Sequence, residues 1–212
     1  MNALEELRKT ISLETTVVYT GYFLDYWGMP GVKSNMSPIT LILDIPNNSA
    51  AIPGSGDMPV IFAHTVDVAK FTAASLDLEK WDPQLYVIGD RITWNEFLRL
   101  AEKVKGKCFC YHLEDTTFCM NFTNFVCKGT KFKVAHDSVD TLKAGKVTEL
   151  PGQVAAYPFF PKEAFQNLAA KFGLWFEEGA FNFHPERTLH DDFPEINPMT
   201  AAEMLSAAWK KL

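Results

Sequence analysis

The chain has 212 residues, with 20 Lys plus Arg against 26 Asp plus Glu and a formal charge of -6. At roughly 150 residues per domain it holds one or two domains, enough to bury a real core. Its 47% hydrophobic and 22% charged residues exclude general disorder, its acidity argues against a broad grip on nucleic-acid phosphates, and no apolar run approaches the ~20 residues of a membrane helix.

The opening Met1 to Lys9 is a charged amphipathic stretch and not a signal peptide, so a cytoplasmic protein is expected. Leu4, Leu7 and Ile11 predict a helix over 3–11. Thr15 to Tyr19 is a β-branched run that reads as a buried strand ending at Thr20-Gly21. An aromatic loop, Phe23 to Trp27, follows and is broken by Pro30 and Gly31. Ile39 to Ile45 reads as extended, Asn47-Asn48 as a turn, and Ala50 to Asp57 as a short strand and a glycine turn. Val60 to Ala63 is a strand. Thr65 to Leu76 is a helix with Val66, Ala69, Ala73 and Leu76 as its expected buried face.

Leu85 to Gly89 is a further strand, and Thr93-Trp94-Asn95-Glu96 is a capping box opening a helix to Lys105. This strand–helix alternation is the α/β signature. Gly129 to Val134 alternates like a strand, and Ser138 to Leu142 reads as a short helix. Lys162 to Phe172 reads as an amphipathic helix after Pro161, and Thr200 to Trp209 as a last helix capped by Thr200.

All four cysteines, Cys108, Cys110, Cys119 and Cys127, fall within twenty residues, with His112 among them. Their spacing lacks the paired C-x2-C knuckles of structural zinc, and a disulfide framework has no secretory signature beside it. The segment Lys107 to Lys128 interrupts a helix-to-strand pattern that otherwise runs smoothly. Gly106-Lys107-Cys108 can be encoded by GGT-AAG-TGT, which contains an intron donor, and Lys128-Gly129 by AAA-GGT, which supplies an acceptor in the same phase. A retained intron is therefore one reading of 107–128, and a natural loop insertion is the other.

Pro53-Gly54-Ser55-Gly56-Asp57 has two glycines but no helix directly after it, so it reads as a structural turn and not a pyrophosphate cradle. There is no P-loop, H-E-x-x-H or G-x-S-x-G. His64 stands at a strand end before a helix, where active-site groups of α/β sheets often lie. His184 and His190 lack a third ligand at suitable spacing, so no metal is expected. Phe159, Phe160, Phe165, Phe172, Phe176, Phe181 and Phe183 read as core, with an apolar small-molecule pocket as the other reading.

Phe62 to Phe71, Leu76 to Trp81 and Ile88 to Glu96 form a succession that resembles the fungal NmrA-like, isoflavone-reductase-like proteins, a branch of the atypical short-chain dehydrogenases. Thr20 to Tyr26, Thr148 to Pro151 and Phe193 to Glu195 are similar to further stretches of that family. The resemblance implies an α/β fold with a partial Rossmann-like parallel sheet and a small C-terminal α/β substrate-binding region. Family members open with a glycine-rich strand–turn–helix and carry a lysine near or upstream of Met1. Neither is found here, so the N-terminal dinucleotide-binding half is expected to be lacking.

On this resemblance residues 1–106 hold the remnant of the NAD(P)-binding domain with part of the substrate region. Residues 107–128 are an anomalous insertion, and 129–212 form the C-terminal substrate-binding region. The implied activity is NAD(P)-dependent reduction of a small organic molecule, such as a fungal secondary metabolite, with NAD and NADP left open. Thr20, Gly21, Tyr22 and Phe23 would lie beside the nicotinamide, and Phe23, Tyr26, Trp27 and His64 beside the substrate; no catalytic acid can be named. A non-catalytic NAD(P)-sensing regulator and an inactive fragment are the alternatives. No nucleic-acid or membrane partner is expected. Weak cofactor binding by these residues alone, and self-association through an exposed sheet edge, are expected.

Overall fold

The computed structural model describes residues 5–6, 9, 12–106 and 129–209. Most of the expected 3–11 helix and the whole cysteine segment, with its metal, disulfide and intron readings, lie outside the described residues. In chain order the elements begin with β1 (Val17–Tyr19), β2 (Tyr22–Phe23), α1 (Asp25–Gly28), β3 (Leu43–Asp44), β4 (Ser49–Pro53) and β5 (Pro59–Ala63). Then come α2 (Thr65–Ala74), β6 (Gln84–Tyr86), β7 (Asp90–Thr93) and α3 (Trp94–Lys105). The last are β8 (Lys133–Asp137), α4 (Val139–Lys143), a 3-10 turn (Pro151–Ala156), α5 (Lys162–Glu177), α6 (Leu189–Asp192) and α7 (Ala201–Trp209).

The strands form three small sheets. β1 runs parallel to β6, with Val18 opposite Leu85. β5 lies between parallel β2 and antiparallel β7, and β4 between antiparallel β3 and parallel β8. Backbone bonds stitch the first two sheets together: Val87 N–H donates to the Tyr19 carbonyl (2.9 Å) and Gly89 N–H to that of Phe62 (2.8 Å). Gly21 turns the chain from the first sheet to the second at φ 69, and a Cβ there would lie 2.3 Å from the Ile61 carbonyl oxygen. Only glycine fits that crossing.

The core is aromatic. α3 buries Trp94, Phe97 and Ala101, a three- and four-residue spacing that defines one helix face. These meet Phe62 of β5 and Trp27 of α1, with Trp27 and Phe97 ring centres 4.9 Å apart. α5 adds Phe165 and Phe176. Fully burying side chains of this size stabilises by about 1.5–3 kcal/mol each.

The structure bears out the α/β reading and corrects several details. The expected aromatic loop at 23–27 is a two-residue strand followed by a helical turn. The extended 39–45 segment holds only the β3 pair, because Ile42 adopts φ 51 and interrupts it. The strand expected at Gly129 starts at Lys133. α5 runs five residues beyond Phe172, since Gly173 lets it pack closely on Leu142 and Pro53. The buried face expected for α2 is wrong: Val66, Ala69, Ala73 and Leu76 are exposed, and Asp67 and Phe71 are buried. Asp67 accepts from Met199 N–H (2.8 Å), while Phe71 packs on the His190 ring (4.4 Å between centres). Those tertiary partners turn the helix away from its most apolar stripe.

Candidate functional site

The site is organised by a buried carboxylate. Asp25 opens α1 and is fully buried. Its Oδ1 accepts from Ser34 Oγ (2.5 Å) and Thr65 Oγ1 (2.6 Å), and its Oδ2 from Thr65 N–H (2.9 Å). Burial alone would raise this carboxyl, but the Ser34 and Thr65 bonds, helped by nearby His64, outweigh it and hold the group below its usual value. The result is an ionised hub that ties α1 to the segment at Ser34 and to the β5–α2 junction.

With α1 so fixed, Trp27 points inward and Tyr26 outward. The Trp27 indole donates to the carbonyls of Leu41 (3.1 Å) and Leu43 (3.2 Å), which holds the 39–46 segment against it. Tyr26 is half-buried on a cleft of about 940 Å³. One wall is the segment from Met29 to Pro46, and the other is Gly152, Ala155, Ala156, Phe159 and Phe160 with Trp209 of α7. Asp44 on its floor accepts from Gly152 N–H (2.7 Å) and from the Asn47 amide, so the two walls are tied together. A Cβ on Gly152 would come within 2.5 Å of Thr40 Oγ1, which keeps this crossing tight.

The second wall has its own anchor. Glu149 accepts from the Tyr157 hydroxyl (2.9 Å) and pairs with Lys162 at the start of α5. Burial, and then Glu149, push the Tyr157 phenol up to about 12. Behind the cleft lies an apolar cavity of about 110 Å³ among β4, α4 and α5, and Tyr26 and Ile39 line both spaces. Ile42 also lines the inner cavity. Its positive φ is rare for a β-branched residue and costs on the order of 1–3 kcal/mol, strain of a kind that clusters at ligand sites.

Of the residues singled out in the sequence, Tyr26 and Trp27 come together on the cleft. His64 does not line it: His64 caps α2, its Nδ1 accepting from Val66 N–H (3.2 Å), and its Nε2 stands 3.6 Å from Asp25 Oδ1. Thr20 and Gly21 lie at the carboxyl end of β1, and Phe23 is half-buried at the end of β2. Tyr22 is packed in the core, with Phe176 at 5.1 Å and Phe181 at 5.6 Å, and burial followed by Tyr26 raises its phenol. Sequence reasoning missed Met29, Met36 and Trp209, and it read Phe159 and Phe160 as core first, with an apolar pocket, which both in fact line, as the other reading. Phe159 is instead 91% exposed at the cleft rim.

The other sequence features have structural roles. In the glycine turn, Gly54 and Gly56 have φ 54 and 72, and a Cβ on Gly54 would overlap the Glu177 carboxylate. An acidic group seated there does not suit a pyrophosphate. His184 contacts Arg91, while His190 Nε2 accepts from Ile88 N–H (2.9 Å). Burial lowers the His190 pKa, consistent with a neutral ring. Among the described residues no three His, Cys, Asp or Glu side chains are grouped to hold a metal, and no helix is long and apolar enough to cross a membrane.

No family model matches the chain. It is 40% identical over 105 residues to "Oxidoreductase BOA1" of Botryotinia fuckeliana, covering 50% of this chain and 35% of that protein. It is 26% identical over 215 residues to "Oxidoreductase swnN" of Arthroderma benhamiae, covering 99% of this chain and 66% of that protein. The chain thus spans less than two thirds of the length of these relatives. Among solved structures, a ternary complex of leucoanthocyanidin reductase from Vitis vinifera superposes with TM-score 0.61 at 16% identity, covering 99% of this chain and 60% of that one. "AtPrR2 with NADP+ and (+)pinoresinol" superposes with TM-score 0.61 at 17% identity, covering 95% and 55%. The structural matches show a Rossmann-like α/β fold. With the oxidoreductase relatives, they support placing the chain in the NmrA-like, isoflavone-reductase-like family.

Proposed function

We propose that this NmrA-like, isoflavone-reductase-like chain forms the substrate-facing part of an NAD(P)-dependent oxidoreductase acting on a small organic molecule, such as a secondary metabolite. The observation that carries the reading is the large apolar cleft with Tyr26 on its wall. Burial and the neighbouring Asp25 raise the Tyr26 phenol, so at neutral pH it is a hydrogen-bond donor. It can orient a carbonyl or ether oxygen, and the apolar walls exclude water around it.

In doubly wound sheets ligands sit beyond the carboxyl ends of the strands. Thr20 and Gly21 lie at that end of β1, and Phe23 follows at the end of β2. In this reading Thr20, Gly21 and Phe23 flank the nicotinamide, with Tyr22 packed in the core behind them, and a bound NAD(P)H supplies the hydride. Tyr26 faces the substrate with Trp27 backing it, Phe23 stays on the cofactor side, and His64 acts behind them as a support for Asp25. Residues 1–106 then contribute the cofactor side with part of the substrate region, and 129–212 the other cleft wall. The free side of β1, which pairs with no strand among the described residues, is a surface for self-association. The protein works in the cytoplasm in this reading.

The test is NADPH consumption in the presence of neutral aromatic ketones and lactones, with wild type beside Tyr26→Ala and Gly21→Val. Substrate-dependent oxidation that falls at least tenfold in both variants is the expected result. NADPH binding with no oxidation of any carbonyl compound would favour a regulatory sensor. Oxidation unchanged by Tyr26→Ala would overturn the assignment of the cleft.

A further inference from the structure

The cleft and the inner cavity share the Tyr26 ring and Ile39 as walls, and their linings differ in character. The wide cleft presents flat aromatic and adaptable thioether surfaces, Phe160, Trp209, Met29 and Met36. The inner cavity is small and aliphatic, walled chiefly by Leu41, Ala51, Leu142, Leu168 and Ala169, with Phe165 behind them. Among the described residues no Lys, Arg or His lines either space, and Lys105, at the cleft margin, donates to the carbonyls of Ile45 (2.5 Å) and Pro46 (3.3 Å). The two carboxylates present are already satisfied. Asp137 accepts from Thr148 N–H (2.9 Å) and Thr148 Oγ1 (2.6 Å), and Asp44 from Asn47 and Gly152. With the Lys105 ammonium engaged by two backbone carbonyls, a ligand carboxylate, phosphate or sulfonate would find no counter-charge among the described residues lining either space, and burying it unpaired is costly. A small recess with a mainly apolar lining accepts apolar guests.

We propose that the two spaces form one bipartite substrate site: the wide cleft takes a planar ring system, the inner cavity takes an uncharged aliphatic arm, and Tyr26 at the junction determines which arm enters. This rests on the cleft being the substrate site. Ala169, on the α5 face toward the cavity, is the second specificity-determining position, because a larger side chain there fills the space the arm occupies. Gly173, one turn on, holds α5 close to Leu142 and Pro53, so the cavity cannot widen by helix displacement without breaking that contact.

The experiment is a fluorescence titration of the full 212-residue chain with N-phenyl-1-naphthylamine, followed by its displacement by 4-alkylphenols of increasing chain length. Its sulfonated analogue, 1-anilinonaphthalene-8-sulfonate, is titrated in parallel. The neutral probe is expected to bind at least tenfold more tightly than the sulfonate. Each added methylene should tighten the phenol by about fourfold until the cavity is full. Ala169→Leu should abolish that increment and leave naphthylamine binding within twofold. Leu168→Ala, at a half-open edge where substitution disturbs folding little, should extend the increment to longer chains.

A methylene increment unchanged in both variants would overturn the inner subsite, with the cleft reading intact. Equal binding of the sulfonate would overturn the exclusion of charge. If no probe binds, the cleft reading falls and this one with it.

Discussion

Tyr22 and Tyr26 are four residues apart, and the two regions they belong to are built from the same kinds of side chain. Tyr22 lies in the closed core, where Trp94, Phe172, Phe176 and Phe181 surround it largely edge-to-face. Tyr26 lies on the open cleft, where Phe159 and Phe160 stand on the facing wall. The difference is not one of composition. In the core, Trp94, Phe172 and Phe176 are supplied by helices whose packing fixes them. In the cleft, Asp44 ties the two walls together at Gly152 and Glu149 anchors the second wall to Lys162, so the walls are fixed by polar contacts at a few points and the apolar side chains between them leave a space.

The sharpest way to break this comparison is to truncate one aromatic from each region. Phe97→Ala removes a fully buried ring and should cost about 3–5 kcal/mol. Phe159→Ala removes an exposed ring at the rim and should stay within about 0.5 kcal/mol. Urea denaturation of the two variants beside wild type measures both. Equal losses would show that the rim is part of the core.

The next effect concerns the polar hub. Asp25→Asn leaves Thr65 and Ser34 with a weaker acceptor and should cost about 1.5–3 kcal/mol. The sign with pH follows from the lowered folded pKa. The stabilisation is full above the ordinary value of 3.8, and it is lost as pH falls below that value and through the folded pKa. Acid titration of stability should therefore be shallower below about pH 3.8 in Asp25→Asn. An unchanged acid limb would contradict the hub.

A smaller effect distinguishes the outer flank. His190 must be neutral to accept from Ile88, and its folded pKa is lowered from 6.5 by burial. Protonation is easier in the unfolded chain, so stability should decline as pH falls below about 6.5, before any carboxylate titrates. His190→Gln should flatten that interval, as read by thermal denaturation between pH 7.5 and 5.5. A slope that persists would assign it to another group.

The elements that were legible in the sequence are those fixed by neighbours in the chain. The Thr93–Glu96 box closes through Glu96 N–H to Thr93 Oγ1 (3.1 Å) and Thr93 N–H to Glu96 Oε2 (2.8 Å), and four consecutive residues suffice to predict it. Val17 to Tyr19 and Val60 to Ala63 declare themselves as strands by β-branching. α2 was misread because its orientation depends on Met199 and His190, more than a hundred residues away. The cleft was half legible. Tyr26 and Trp27 were found through family resemblance, whereas its far wall comes from the 152–160 segment and Trp209. Nothing local separates exposed Phe159 from buried Phe165: both sit in the same aromatic-rich stretch, and only the turn of the 3-10 segment and the register of α5 decide which faces solvent.

The most direct test of the division between core and cleft uses the five tryptophans, Trp27, Trp81, Trp94, Trp175 and Trp209. Fluorotryptophan incorporation gives each its own fluorine resonance, assigned by single Trp→Phe variants. On titration with N-phenyl-1-naphthylamine, Trp209 should shift most and Trp27 next, because both line the cleft. Trp94 and Trp81 should stay fixed. A shift centred on Trp94 or Trp81, with Trp209 unmoved, would contradict the account.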